Sequence, residues 1–202
     1  MSDTEALRAQ AGSLGVALDP SQASRLVRFE QLLLDRAIPL GMVSRSDTTR
    51  IRERHILDSL RAAPIVQGDD LAADLGSGAG LPGVVVAIAL RRIRMLLVER
   101  RPRRAAILEL VLEELGLSNA TVFAGRVVEL PERVDVALAR AFAPPEEAWA
   151  QARQVLRPGG RLVYFAGAAT AIPAAPEGSA ILEVLETAVL ESSGALVIMA
   201  GQ

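Results

Sequence analysis

The stretch Leu71-Ala-Ala-Asp-Leu-Gly-Ser-Gly-Ala-Gly-Leu-Pro-Gly-Val-Val-Val-Ala-Ile-Ala-Leu90 decides the fold. Leu71 to Leu75 reads as a short buried strand, and an apolar segment of helical character starts near Pro82. Between them, Gly76, Gly78 and Gly80 let the backbone turn sharply and lie against a ligand with no Cβ in the way. Pro82 suits the first helical position, where its missing N–H is no loss. The free N–H groups of that helix start are expected to point at whatever the turn holds. Strand, glycine turn and helix in this order make a site for a nucleotide-type cofactor.

Outward from this stretch toward the C-terminus, strands and helical segments alternate. Strands are expected at 71–75, 93–98, 120–124, 134–139 and 160–166, and helices at 82–91, 102–116 and 145–156. That order implies right-handed βαβ units and a mostly parallel, doubly wound α/β sheet. Strands near 181–188 and 194–200 have only Glu191-Ser-Ser-Gly194 between them, too short for a crossover, so they should form an antiparallel hairpin. The Ala-, Gly- and Pro-rich residues 166–179 read as a loop. Toward the N-terminus, helices are expected at 4–15, from an Asp19 cap to before Pro39, and from a Ser46 or Asp47 cap through Thr48 to about Val66. Ile51, Ile56, Leu57 and Leu60 should face inward from the third. The expected organisation is a helical extension, 1–66, packed on a core domain, 67–202.

Composition removes several chemistries. The absence of cysteine excludes disulfides, thiolate metal sites and cysteine nucleophiles. A single histidine, His55, excludes a histidine-based metal cluster, and no metal is expected. The first residues are not signal-like, and the longest apolar run, Val84 to Leu90, is too short to span a bilayer. A cytoplasmic monomer away from the membrane is expected. All 22 basic residues are arginine. Seven of them lie between Arg91 and Arg104 with one acid, Glu99, and this basic edge permits contact with a polyanion.

The glycine turn has two overlapping spellings. Gly78-x-Gly80-x-x-Gly83, with Glu99 as a ribose partner, matches a dinucleotide fingerprint and an NAD-dependent oxidoreductase. Asp74-x-Gly76-x-Gly78-x-Gly80 instead resembles motif I of S-adenosylmethionine methyltransferases. Asp74 favours the second, because a carboxylate there suits an ammonium and a sulfonium and would repel a pyrophosphate. Glu99 can accept the ribose hydroxyls in either case. Arg157-Pro-Gly-Gly160 resembles the turn before the fifth strand of these enzymes, and a parallel sheet ending in an antiparallel hairpin is the outline of their class I, Rossmann-like fold.

Further motifs narrow the resemblance. Arg54-His-Ile-Leu-Asp-Ser-Leu60, Leu81-Pro82-Gly83, Arg126-Val-Val-Glu129 and Ala139-Arg-Ala-Phe-Ala143 follow one another as in the ribosomal RNA small-subunit methyltransferase G family, also called glucose-inhibited division protein B. The resemblance covers about residues 20 to 167. It implies methyl transfer from S-adenosylmethionine to N7 of a guanine in the 16S rRNA of the small ribosomal subunit. It places Asp74, Gly76, Gly78, Gly80, Leu81 and Glu99 around the cofactor, Val127 and Val128 on its adenine side, and Arg140 beside cofactor and target base. His55 and Asp58, three apart on one helix face, and Arg100, Arg101, Arg103 and Arg104 are candidates for RNA contact. Four cations at a helix start oppose the helix dipole, and phosphate binding would explain them. Arg140→Ala is expected to abolish transfer with folding intact. Trp149 reads as a packing residue.

Guanine N7 carries a lone pair and no proton, so attack on a sulfonium methyl needs alignment and a suitable field and no general base. The family's Trp-Asn, Asn-Leu-Thr and Lys-Gly positions read Arg36-Ala37, Gly41-Met42-Val43 and Ala166-Gly167 here. A quiet S-adenosylmethionine-binding protein of ribosome assembly is therefore the rival reading from another class.

Overall fold

A computed structural model describes residues 1–167, 172–191 and 193–202. Parts of the expected 166–179 loop and 191–194 link lie outside them. Helix α1 (Asp3–Ser13) opens on Ser2 and α2 (Pro20–Leu32) on Asp19, each with a reciprocal capping box that satisfies otherwise orphaned backbone donors. Leu7, Leu26 and Phe29 bury the inner faces completely.

The third expected helix is not continuous. Residues 45–50 form a tight 3-10 turn capped by Ser44, 52–57 a wide π turn, Asp58–Leu60 one α-helical turn (α3), and 63–65 another 3-10 turn. Asp47 is no cap; its buried carboxylate meets His55. Ile51, Ile56, Leu57 and Leu60 are buried as expected. A second π turn, 33–37, closes the helix expected to run toward Pro39. Such wide turns re-aim side chains within a helical run and occur often at functional sites.

The strands are β1 (Leu71–Leu75), β2 (Arg94–Val98), β3 (Ala120–Phe123), β4 (Val134–Arg140), β5 (Leu156–Phe165), β6 (Ser179–Leu185) and β7 (Leu196–Gly201). Their order is β3-β2-β1-β4-β5-β7-β6, parallel through β5, with β7 antiparallel to both β5 and β6. Helices α4 (Gly83–Ala89), α5 (Pro102–Leu115) and α6 (Pro145–Val155) make the crossovers. β5 begins earlier than expected, at Leu156, so Arg157-Pro-Gly-Gly160 belongs to a strand whose pairing with β4 is irregular there.

Each face of the sheet carries a core. One joins the N-terminal helices, α4 and α5 to Ala72, Met95, Leu97, Leu138 and Val163. The other joins α6, with Trp149, to Leu71, Ala73, Leu75, Ala137 and Leu162. Strand alternation therefore puts Asp74 on the Ala72 face, beneath α4. Chain order reverses between β1 and β4, and the crevice beyond their C-terminal ends is where doubly wound sheets bind ligands. Among the described residues, no helix is long and apolar enough to cross a membrane.

Candidate active site

The turn after β1 is pinned from behind. Ser77 N–H donates to the Val98 carbonyl at 2.9 Å, and Gly80 N–H to the Ser77 carbonyl at 2.7 Å. Asp74 Oδ2 accepts from Gly83 N–H at 3.0 Å. α4 thus starts at Gly83, one residue after Pro82, and its first donor goes to Asp74 instead of a ligand. A Cβ on Gly83 would collide with Leu97 and stand 2.7 Å from Asp74, so only glycine lets helix and strand approach this closely. Asp74 is 1% exposed, and its Oδ1 has no hydrogen-bond partner among the described residues. Burial pushes its carboxyl up to about 6, partly offset by the Ser77 hydroxyl, the Gly83 N–H and the Arg140 charge.

A cavity of about 340 Å³ opens in front of the turn, within the size range of small-molecule sites. Gly76 after β1, Val98 and Glu99 at the end of β2 and Val127 after β3 line it, with Ala141 and Phe142 after β4. Glu99 is 5% exposed; Oε2 accepts from Gly78 N–H at 3.2 Å and Oε1 from Arg101 N–H at 2.8 Å. Each oxygen keeps a lone pair for a ligand hydroxyl. Of the expected cofactor contacts, Gly76, Glu99 and Val127 border the cavity, whereas Asp74, Gly78, Gly80 and Leu81 build the turn behind it. The Val128 side chain is exposed.

Arg140 faces the other way, into the helical segment. Its guanidinium donates to the Arg54 carbonyl at 2.5 Å and to His55 Nδ1 at 3.2 Å, and lies 3.4 Å from Asp58. His55 Nε2 lies 3.1 Å from Asp47. Because Nδ1 accepts from arginine, the ring is neutral with its hydrogen on Nε2. Burial and the Arg140 charge accordingly hold the His55 pKa below the usual imidazole range. Asp58 also accepts from Arg61 at 2.9 Å, and Arg61 donates to the carbonyls of Gly194 and Leu185. His55 and Asp58 are 9% and 8% exposed, so they reach the site through Arg140 and present little surface to a macromolecule.

Arg100, Arg101 and Arg104 border the cavity together with Arg126; Arg103 is exposed beside them on α5. Among the described residues none of these five side chains pairs with a carboxylate, whereas Arg28 and Arg36 meet Glu114 and Arg52 meets Glu30 and Asp3. Phe142, Ala141 and Arg126 belong to the 126–129 and 139–143 motifs but carry no chemical signal of their own in the sequence.

A family model described as rRNA small subunit methyltransferase G matches residues 22–191. The chain belongs to that family. Ribosomal RNA small subunit methyltransferase G of Acidothermus cellulolyticus is 36% identical over 143 residues, 71% of this chain and 64% of that protein, just under two thirds of its length. The Burkholderia multivorans protein of the same name is 34% identical over 189 residues, 89% of this chain and 83% of its own. Among solved structures, Aeropyrum pernix fibrillarin with natively bound S-adenosyl-L-methionine superimposes with a TM-score of 0.51 at 22% identity, over 68% of each chain, a likeness of fold. Members of the methyltransferase G family take S-adenosylmethionine as methyl donor, and the residues here fit it. The two free Glu99 lone pairs and the apolar Val127 wall suit an adenosyl group, and the Asp74 oxygen with no partner among the described residues supplies negative potential behind the turn.

Proposed function

We propose that this protein methylates N7 of a guanine in 16S rRNA and works in the cytoplasm on the small ribosomal subunit. The observation that carries the reading is the convergence of two distant motifs at the switch point: the Asp74–Gly83 turn, and the Arg54–Asp58 block bound to Arg140. Bound S-adenosylmethionine would supply an electrophilic methyl group beside this junction. Gly76 and Glu99 hold the donor, Glu99 through its ribose, and Val127 walls the adenine; Val128 contributes backbone. Arg140 is a positioning residue, kept cationic by Asp58 and fixed by His55 and the Arg54 carbonyl. Nothing in the reaction requires the protein to take a proton, which agrees with an imidazole engaged on both nitrogens.

The five arginines that have no acidic partner among the described residues support RNA docking at the cavity mouth, since phosphates would replace the missing carboxylates. Residues 1–66 act as an extension packed on 67–202, carrying Arg54, His55 and Asp58 to the site. Calorimetry with S-adenosylmethionine should give a single saturable site, and mapping of N7-methylguanine in 16S rRNA should show one position lost when the gene is removed. No heat at millimolar donor rejects the cofactor; donor binding with unchanged methylation rejects the substrate and leaves a quiet binder.

A further inference from the structure

Six aromatic side chains occur in the chain, and Phe142 is the one that lines the cavity among the described residues. Phe29, Trp149 and Phe165 are buried in the cores. Phe142 is half-buried, two residues past Arg140 at the end of β4. Its ring rests on the α-carbon of Gly76: a Cβ there would lie 2.6 Å from the ring's Cδ2. The intervening Ala141 has φ of 50°, the left-handed region that residues with a Cβ rarely adopt. This strained step separates two neighbours. Arg140 is committed to the helical segment, and Phe142 is delivered to the face of the turn that would hold the donor.

We propose that Phe142 is the platform on which the target guanine stacks. The inference rests on the guanine-N7 reading above. In that reaction the N7 lone pair forms the new N–C bond as the sulfonium S–C bond breaks. Positive charge passes from sulfur to the purine, the sulfur leaves as a neutral thioether, and no proton moves. A base that becomes cationic while it reacts gains most from an aromatic face, because the ring's negative quadrupole attracts the charge as it develops. The same ring touches Gly76, so one side chain can set the distance between base and donor. A leucine would fill similar space without the quadrupole or the flat stacking surface.

The test compares Phe142→Leu and Phe142→Tyr with the unaltered protein, on small ribosomal subunits lacking the modification and by calorimetry with S-adenosylmethionine. Phe142→Leu should lower kcat for methyl transfer about tenfold with donor Kd within about twofold of the parent. Phe142→Tyr, which keeps the ring, should stay within about threefold in both. A third measurement uses Phe142→Trp in a Trp149→Phe background. Its fluorescence should be quenched by 7-methylguanosine monophosphate at concentrations several-fold below those needed with guanosine monophosphate. The proposal is overturned if Phe142→Leu turns over normally, if its loss is matched by an equal rise in donor Kd, or if both nucleotides quench alike. An unaltered protein that transfers nothing to the subunits rejects the function itself, and that outcome is read from the parent alone.

Discussion

Asp74 shows how much one buried carboxylate can decide. It lies on the inward register of β1, holds the start of α4 through Gly83, and leaves one oxygen without a partner among the described residues. The folded protein retains its proton up to about pH 6, whereas the unfolded carboxyl releases it near 3.8. The folded state therefore binds more protons between those values, and Asp74 makes stability fall as pH rises from 3.8 through about 6. Asp74→Asn keeps an acceptor for the Gly83 N–H and removes the buried charge. Denaturant unfolding of this variant at pH 7.5 (roughly neutral, above both values) should show a gain of up to about 3 kcal/mol at 1.36 kcal/mol per pKa unit, with the slope below pH 6 flattened. Calorimetry should show weaker donor binding. The sequence presents Asp74 as a carboxylate aimed at a cationic ligand; the fold instead buries it against the start of α4. Its bond to Gly83 was not legible there, because that depends on how closely α4 descends on β1.

At the scale of elements, the N-terminal helical segment does more than cover the sheet. The expected continuous helix over 48–66 breaks into turns of different pitch, which bring His55 and Asp58 to Arg140 and Asp47 to His55. Helical spacing put His55 and Asp58 on one face, but local propensity holds no record of a partner 85 residues away. The expectation that Arg140→Ala leaves folding intact needs revision. Removing a largely buried cation leaves His55 Nδ1 unpaired and Asp58 with Arg61 alone, a loss of about 2 kcal/mol together with activity. Thermal unfolding beside a methyl-transfer assay checks both effects. His55 has the opposite pH behaviour from Asp74. Its folded pKa lies below its unfolded value of 6.5, so stability present at neutral pH is lost as pH falls through that range. His55→Gln offers a neutral donor and acceptor in similar space, and its unfolding free energy should drop less than the parent's on acidification from pH 7 (about neutral) to below 6.5.

For the molecule as a whole, charge is distributed by function more than by amount. The net charge is −2, yet the cavity mouth carries arginines with no acidic partner among the described residues. Replacing Arg100, Arg104 and Arg126 with glutamine should leave donor affinity unchanged. The slope of log K for RNA against log salt should fall by roughly 0.7–0.9 for each phosphate that is no longer neutralised. Filter binding at several salt concentrations measures it, and an unchanged slope removes these residues from the RNA surface. The parallel sheet and its terminal hairpin were readable because apolar strands and helical segments alternate so regularly. The irregular entry to β5 was not, because Gly159 and Gly160 read equally well as a turn or as a distorted strand.

The insertion of β7 between β5 and β6 has a consequence for the order of synthesis. A ribosome that has released the chain only as far as Leu190 has delivered every residue of the cavity, and Arg140 and His55 behind it. The nascent protein at that point still shows an open edge along β5, β6 has no neighbour to pair with, and Arg61 lacks the Gly194 carbonyl that steadies Asp58. Maturation of the site is thus coupled to the emergence of residues 194–201, and the protein is assembled late by the same kind of particle it is proposed to modify.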